Sequence, residues 1–185
     1  MIKLSMKLNK TTLELFVDEM KPLSQILYED LNIDIPIRNC SHNVCGNCLV
    51  IVDKEPVLSC LIPAYKLQGK TVTTFDAFMQ SAHYRNIRRT YDLLNCEPCP
   101  ICYEAKTLII ESMLLKAKTK RIDNNVDDLS RKFLTKAIDE DEKNQIDFET
   151  AQREFSLNSC SCLTSKDLYK IVTKALEDRI KRRVL

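Results

Sequence analysis

Cys40-Ser41-His42-Asn43-Val44-Cys45-Gly46-Asn47-Cys48, followed after eleven residues by Cys60, decides how this 185-residue chain is read. The spacing is C-x4-C-x2-C-x11-C, which suits four thiolates around a [2Fe–2S] cluster. Three ligands within nine residues must all point at one small centre. Only an irregular loop does this, because a helix or strand would turn some of them away. Gly46 has no Cβ, so the backbone can bend there and approach closely. The loop N–H groups can then aim at the cluster sulfurs, one lever on potential. Cys60 must come from a separate element. Leu49-Val50-Ile51-Val52 reads as a strand, Asp53-Lys54-Glu55-Pro56 as a turn and Val57-Leu58-Ser59 as the return strand. This hairpin carries Cys60 back to the loop. Buried free thiols and a zinc site are the alternatives. Zinc ligands usually come as C-x2-C with a second pair further on, so the four-residue first gap favours iron and sulfide.

The chain has nine cysteines, an odd number and clumped, which argues against a disulfide framework. The N-terminus Met1-Ile2-Lys3-Leu4-Ser5-Met6-Lys7 alternates and lacks the apolar core of a signal peptide. No run reaches the length of a membrane span. The expected setting is therefore reducing and cytoplasmic, where clumped thiols mean metal. A net charge of +2 neither excludes nor suggests a partner. Arg88-Arg89 and Lys181-Arg182-Arg183 read as solvated charge, and without interleaved aromatics they do not indicate nucleic-acid binding. There is no phosphate loop, nucleotide fingerprint or nucleophile–base pattern. With two glycines in the whole chain, tight turns must be built from Asn, Asp and Pro.

Residues 1–78 read as mixed α and β. Ile2, Leu4, Met6 and Leu8 alternate with polar residues, as do Leu13, Leu15 and Val17 after a turn at Asn9-Lys10-Thr11. Pro22 opens a short helix with Leu23, Ile26, Leu27 and Leu31 on one face. After the cysteine loop and hairpin, Gly69 precedes a closing strand, Thr71-Val72-Thr73-Thr74-Phe75. This order suits a β-grasp sheet packed on one helix. Residues 79–90 read as a linker. Residues 91–185 are helical, with stripes at Leu108, Ile109, Met113 and Leu114, at Leu129, Phe133, Leu134 and Ile138, and at Leu168, Ile171, Val172, Ala175, Leu176 and Ile180. Such helices pack as a four-helix-bundle-like unit, with a charged, solvent-facing insertion around 116–145.

A second cysteine group falls in the helical part. Cys96-x2-Cys99-x2-Cys102 precedes one helix and Cys160-x-Cys162 precedes another, so five thiols are available to one site. A C-x2-C and a C-x-C at two helix N-termini can close a four-sulfur site. The positive ends of the helix dipoles there favour thiolate and an anionic cluster. Zinc or reactive free thiols are the alternatives. His42 and His83 are too scattered to serve a Rieske centre and read as surface or packing residues.

Taken together, these stretches resemble the iron–sulfur subunit of the xanthine dehydrogenase / aldehyde oxidase / carbon monoxide dehydrogenase family of molybdenum hydroxylases. Cys45-Gly46-Asn47-Cys48-Leu49-Val50-Ile51-Val52-Asp53 through Val57-Leu58-Ser59-Cys60-Leu61 is similar to that family's N-terminal cluster motif. Gly69-Lys70-Thr71-Val72-Thr73-Thr74 resembles the strand after it. Cys99-Pro100-Ile101-Cys102 resembles its C-x2-C helix, and Asn158-Ser159-Cys160-Ser161-Cys162 its C-x-C helix. The resemblance implies a ferredoxin-like β-grasp domain followed by an all-α domain, each with one [2Fe–2S] cluster. The ligands would be Cys40, Cys45, Cys48 and Cys60 in the first, and Cys99, Cys102, Cys160 and Cys162 in the second. It also implies electron relay from a molybdopterin-binding large subunit to an FAD-binding subunit or other acceptor, without substrate chemistry in this chain.

The chain departs from the family pattern in places. Pro98 stands where the family usually has glutamine, and Pro100 where it has glycine. Tyr103-Glu104-Ala105 replaces Thr-Pro-Gly, and the Thr-Gly after the C-x-C is lost, with what reads as a three-residue insertion. The 57 residues between Cys102 and Cys160 exceed the family norm. These changes leave the thiols in place and bear on how a pterin subunit would dock. C-x2-C-x2-C also resembles the second domain of succinate dehydrogenase / fumarate reductase iron–sulfur subunits, but the thiols here are too few for two further clusters. A free-standing redox or regulatory protein and a zinc-binding interaction module are the rival classes. Cys96 falls where the family has a small apolar residue and is left out of the ligand set. Cys96→Ser is therefore expected to leave iron content unchanged by metal analysis; loss of one cluster would mean the ligand set is wrong.

Overall fold

The computed structural model describes residues 1–34, 45–122 and 148–184. Strands β1 (Ile2–Leu8) and β2 (Thr11–Val17) form a hairpin, as do β3 (Leu49–Val52) and β4 (Glu55–Leu58). Both hairpins close through two residues with positive φ, Asn9 (49°) and Lys10 (77°) in the first, Asp53 (48°) and Lys54 (76°) in the second. Paired positive φ values make the twisted turn that matches strand twist, and Asn and Asp tolerate it best after glycine. The second turn is shorter than the expected Asp53–Pro56. Glu55 and Pro56 are already in β4, which lies at the sheet edge, where a proline without an N–H is tolerated.

Strand β5 (Thr71–Thr73) completes a mixed five-stranded sheet in the order β2-β1-β5-β3-β4, parallel to β1 and antiparallel to β3. It is shorter than the expected strand. Thr74 instead becomes the N-cap of α2 (Phe75–Met79), and Phe75 turns into the helical core. Pro22 caps α1 (Leu23–Gln25), which continues as one π-helical turn over Ile26–Asp30. Leu23, Ile26 and Leu27 are fully buried, whereas Leu31 is only partly so. The wider π turn, with Leu31 N–H donating to the Ile26 carbonyl, rotates it off the stripe.

Two clusters of buried side chains meet at β3. Val50 and Val52 point into one with Leu4, Met6, Leu8, Leu23 and Val72. Leu49 and Ile51 point into the other, with α2, α3 (Ala82–Leu94), α4 (Tyr103–Ile122), α5 (Phe148–Phe155) and α6 (Ser165–Val184). An unbroken apolar run is what a strand covered on both faces requires. The α4 and α6 stripes are buried as expected, Ile180 partly. The Leu129–Ile138 stripe and the charged stretch from 123 lie outside the described residues. Most of the expected linker is helix α3. Ser81 caps it by accepting from Tyr84 N–H, and Ile87 and Tyr91 anchor it in the core.

β5 is fixed at both ends by the hairpin turns. Asp53 Oδ1 accepts from Thr71 N–H at 2.9 Å. Asn9 Oδ1 accepts from Thr74 N–H, and Asn9 Nδ2 donates to Thr74 Oγ1, both at 2.9 Å. The Lys70 ammonium and the Thr71 N–H hold the Asp53 carboxyl below its ordinary range. Its contribution is therefore complete above the ordinary carboxylate range and is lost as pH falls through the depressed folded value. Asn9→Ala and Asp53→Ala should each lower stability by about 1 kcal/mol in urea unfolding at neutral pH. The Asp53→Ala difference should shrink on acidification, leaving the backbone cost of alanine at positive φ, and the Asn9→Ala difference should persist.

Candidate metal centres

The β3–β4 hairpin brings Cys48 and Cys60 together. Leu49 pairs with Leu58, and the next residue, Ser59, is fully buried. Its N–H and hydroxyl both donate to the Cys48 carbonyl, at 3.0 and 2.7 Å. Its own carbonyl accepts from Ser24 N–H at the start of α1. The Cys48 and Cys60 sulfurs consequently lie 3.3 Å apart. Cys45 is half-buried in the same loop. Cys40 and His42 lie outside the described residues. His83 is at the surface, its Nδ1 2.8 Å from Glu111 Oε1.

The second group is assembled. Cys102 sits just before α4, and Cys160 and Cys162 just before α6. Thr164 and Asp167 fix the α6 start reciprocally: the Asp167 N–H donates to Thr164 Oγ1, and the Thr164 N–H and hydroxyl donate to Asp167 Oδ2. Sulfur separations are 3.4 Å for Cys99–Cys102, 3.7 Å for Cys99–Cys160 and 3.1 Å for Cys102–Cys162. All four sulfurs lie within 4.8 Å of one another, the one such group of three or more metal-ligating side chains among the described residues. Four convergent thiols suit zinc or an iron–sulfur centre. For a single tetrahedral zinc the sulfurs would stand about 3.8 Å apart, so spacing alone does not choose between them.

The thiols differ electrostatically. Burial pushes the Cys99 thiol up, but hydrogen bonds to Cys102 and to the Ile101 backbone outweigh it and bring it down to about 7. Burial, reinforced by the neighbouring thiols Cys162 and Cys99, holds Cys102 far above its ordinary value. Cys99 is thus the first of the two to offer a thiolate to metal. Cys96 stays outside the group, packed against the helical core. Burial and the Asp167 charge raise its thiol.

The segment just before Cys160 touches the first cysteine loop directly. Asn158, 4% exposed, donates from Nδ2 to the Cys45 carbonyl (3.2 Å) and to Asn47 Oδ1 (2.8 Å). Its Oδ1 accepts from Cys160 N–H at 3.2 Å. One amide therefore joins the two cysteine groups. Gly46 has φ +74°, and a Cβ there would stand 2.0 Å from the Leu157 carbonyl oxygen. The glycine serves the approach of a second segment as much as the bend of its own loop.

Sequence reasoning did not single out Asn158 or Lys106 as site residues. Lys106 is 2% exposed and donates from Nζ to the Cys160 carbonyl at 2.5 Å. Its signal was available: a lysine four residues after a ligand-type cysteine, beside an apolar run. Gly46→Ala should cost about 3 kcal/mol, since backbone strain and a carbonyl clash add. Gly69→Ala is the control, with φ +71° and nothing within 4 Å of the added carbon; only about 1 kcal/mol is expected. Denaturant unfolding of the two variants measures the difference.

No family model matches the sequence. The A subunit of the nicotinate dehydrogenase of Pseudomonas putida is 26% identical over 178 residues, covering 96% of this chain and 97% of that one. The beta subunit of the 6-hydroxypseudooxynicotine dehydrogenase complex of Paenarthrobacter nicotinovorans is 25% identical over 54% of this chain, and the match spans 62% of that relative's length. The xanthine dehydrogenase iron–sulfur-binding subunit of Escherichia coli O157:H7 is 26% identical over 54% of this chain and 62% of its own. Among solved structures, quinoline 2-oxidoreductase of Pseudomonas putida 86 has a chain with TM-score 0.64 and 18% identity, covering 98% of this chain and 96% of that one. Aldehyde oxidoreductase from Desulfovibrio gigas gives TM-score 0.66 at 21% identity, over 98% of this chain and 18% of that much longer one. These structures share the mixed sheet with following helices. The relatives of this chain are iron–sulfur subunits of xanthine, aldehyde and nicotinate dehydrogenases, and one nicotinate dehydrogenase subunit is matched across nearly the whole sequence.

Proposed function

We propose that this chain is an electron-transfer subunit holding two [2Fe–2S] clusters. One would be held by Cys40, Cys45, Cys48 and Cys60 in a β-grasp, ferredoxin-like unit over 1–78. The other would be held by Cys99, Cys102, Cys160 and Cys162 in a four-helix-bundle-like unit over 91–185. The observation that carries this reading is the convergence of those last four thiols at two helix starts, beside relatives named as iron–sulfur subunits.

When bound, such clusters supply reversible uptake of single electrons. The residues of this chain do the rest. The Ser59 contacts hold the Cys48–Cys60 pair. Asn158 fixes the separation of the two thiol groups. Buried side chains keep water from Cys48 and Cys102, which raises the electrostatic influence of every nearby dipole. Cys162 is exposed, and Ile101, between Cys99 and Cys102, is 76% exposed. That face is where a partner protein would approach the second centre. The proposed partners are a molybdopterin-binding large subunit together with an FAD-binding subunit, because several relatives belong to dehydrogenase complexes.

A second reading rests on the compactness of the same four sulfurs, which also suits one structural zinc. Metal and acid-labile sulfide analysis, with low-temperature EPR of anaerobically purified and reduced protein, separates the two. The expected result is about four irons and two reduced [2Fe–2S] signals. Stoichiometric zinc without iron would sink the electron-transfer reading.

A further inference from the structure

Lys106 is a buried cation without a buried anion. It lies one helical turn after Cys102, its N–H donating to the Cys102 carbonyl, and its Nζ donates to the Cys160 carbonyl. It is thus tied to two of the four thiol-bearing residues, one from each half of the site. No carboxylate among the described residues pairs with it. The other cations of this core are matched: Lys116 meets Glu55 and Glu154, and Arg179 meets Glu111. An ammonium removed from water is costly unless a negative charge compensates it. A neutral carbonyl does not do so.

We propose that Lys106 is the charge partner of the centre formed by Cys99, Cys102, Cys160 and Cys162 and raises its reduction potential. The inference rests on the two-cluster reading. Four thiolates fit this role because a cluster they hold is anionic, and each electron it accepts adds one negative charge. A fixed cation nearby favours the reduced form.

The test is an EPR-monitored potentiometric titration of iron-loaded protein, dithionite supplying the electrons, in Lys106→Arg, Lys106→Gln and Lys106→Met. Gln keeps a donor for the Cys160 carbonyl but carries no charge. For Gln and Met the reduced-to-oxidised ratio of one signal, at fixed ambient potential, is expected to fall about tenfold, or 59 mV for one electron. The other signal should not move, and Arg should resemble the unchanged protein. If Gln and Met lose iron from one centre while Arg retains it, the charge is needed to hold the cluster, which also supports the proposal. A Gln variant with an unaltered potential overturns it in favour of a hydrogen-bonding role. So does equal displacement of both signals, or loss of iron in all three variants, which would mark a packing role. Zinc or a single signal in the unchanged protein would instead defeat the two-cluster reading, whatever Lys106 does.

Discussion

Covering strand β3 on both faces is the constraint on which this structure depends. A four-residue strand with alternate side chains in two cores cannot slip by one residue without exchanging its faces. That register fixes Cys48 at one end of β3 and, through the hairpin, Cys60 opposite it. It also sets α4 against the sheet, since Leu49 and Ile51 are packed in the same core as Leu108, Ile109 and Ile110. The two cysteine groups are thereby positioned from one short element, and the Asn158 amide closes the remaining gap.

The helical core holds polar groups deeply, and several of those on α4 are matched by side chains or carbonyls from other elements. Thr107 meets the Tyr91 hydroxyl, Ser112 donates to the Lys54 carbonyl, and Glu111 pairs with Arg179 and His83. Arg179 also reaches Asn86 Oδ1 and the His83 carbonyl, so one guanidinium ties α6 to α3 and α4. Such a pair adds little over an apolar pair, but removing one partner would strand a buried charge at a cost of about 3–5 kcal/mol. Here it links three helices through one buried side chain.

Much of this was legible from local pattern. Alternation marked β1 and β2, an unbroken apolar run marked β3, and glycine scarcity pointed to the Asn and Asp turns that the structure contains. The cysteine spacings marked both groups of thiols. The structure closes the second group. For the first it shows the Cys48–Cys60 pair, with Cys40 beyond the described residues. Helix α3 escaped because its anchors, Tyr84, Ile87 and Tyr91, are diluted by His83, Arg85, Arg88 and Arg89. Asn158 and Lys106 escaped for another reason. A polar residue's meaning is set by its contact partners, here more than a hundred residues away for Asn158. Periodicity carries no record of such distant contacts.

The two glycine-free turns do more than reverse the chain. Asn9 and Asp53 belong to hairpins that can each form from neighbouring residues, yet their side chains grip opposite ends of β5. The central strand of the sheet is also its last to be made in sequence, and it is only three residues long. Its docking site is thus a clasp, with two jaws built from local structure. A segment too short to hold itself in place takes its alignment from side chains of both hairpin turns, and the route from Cys60 to the helical half passes through that latch.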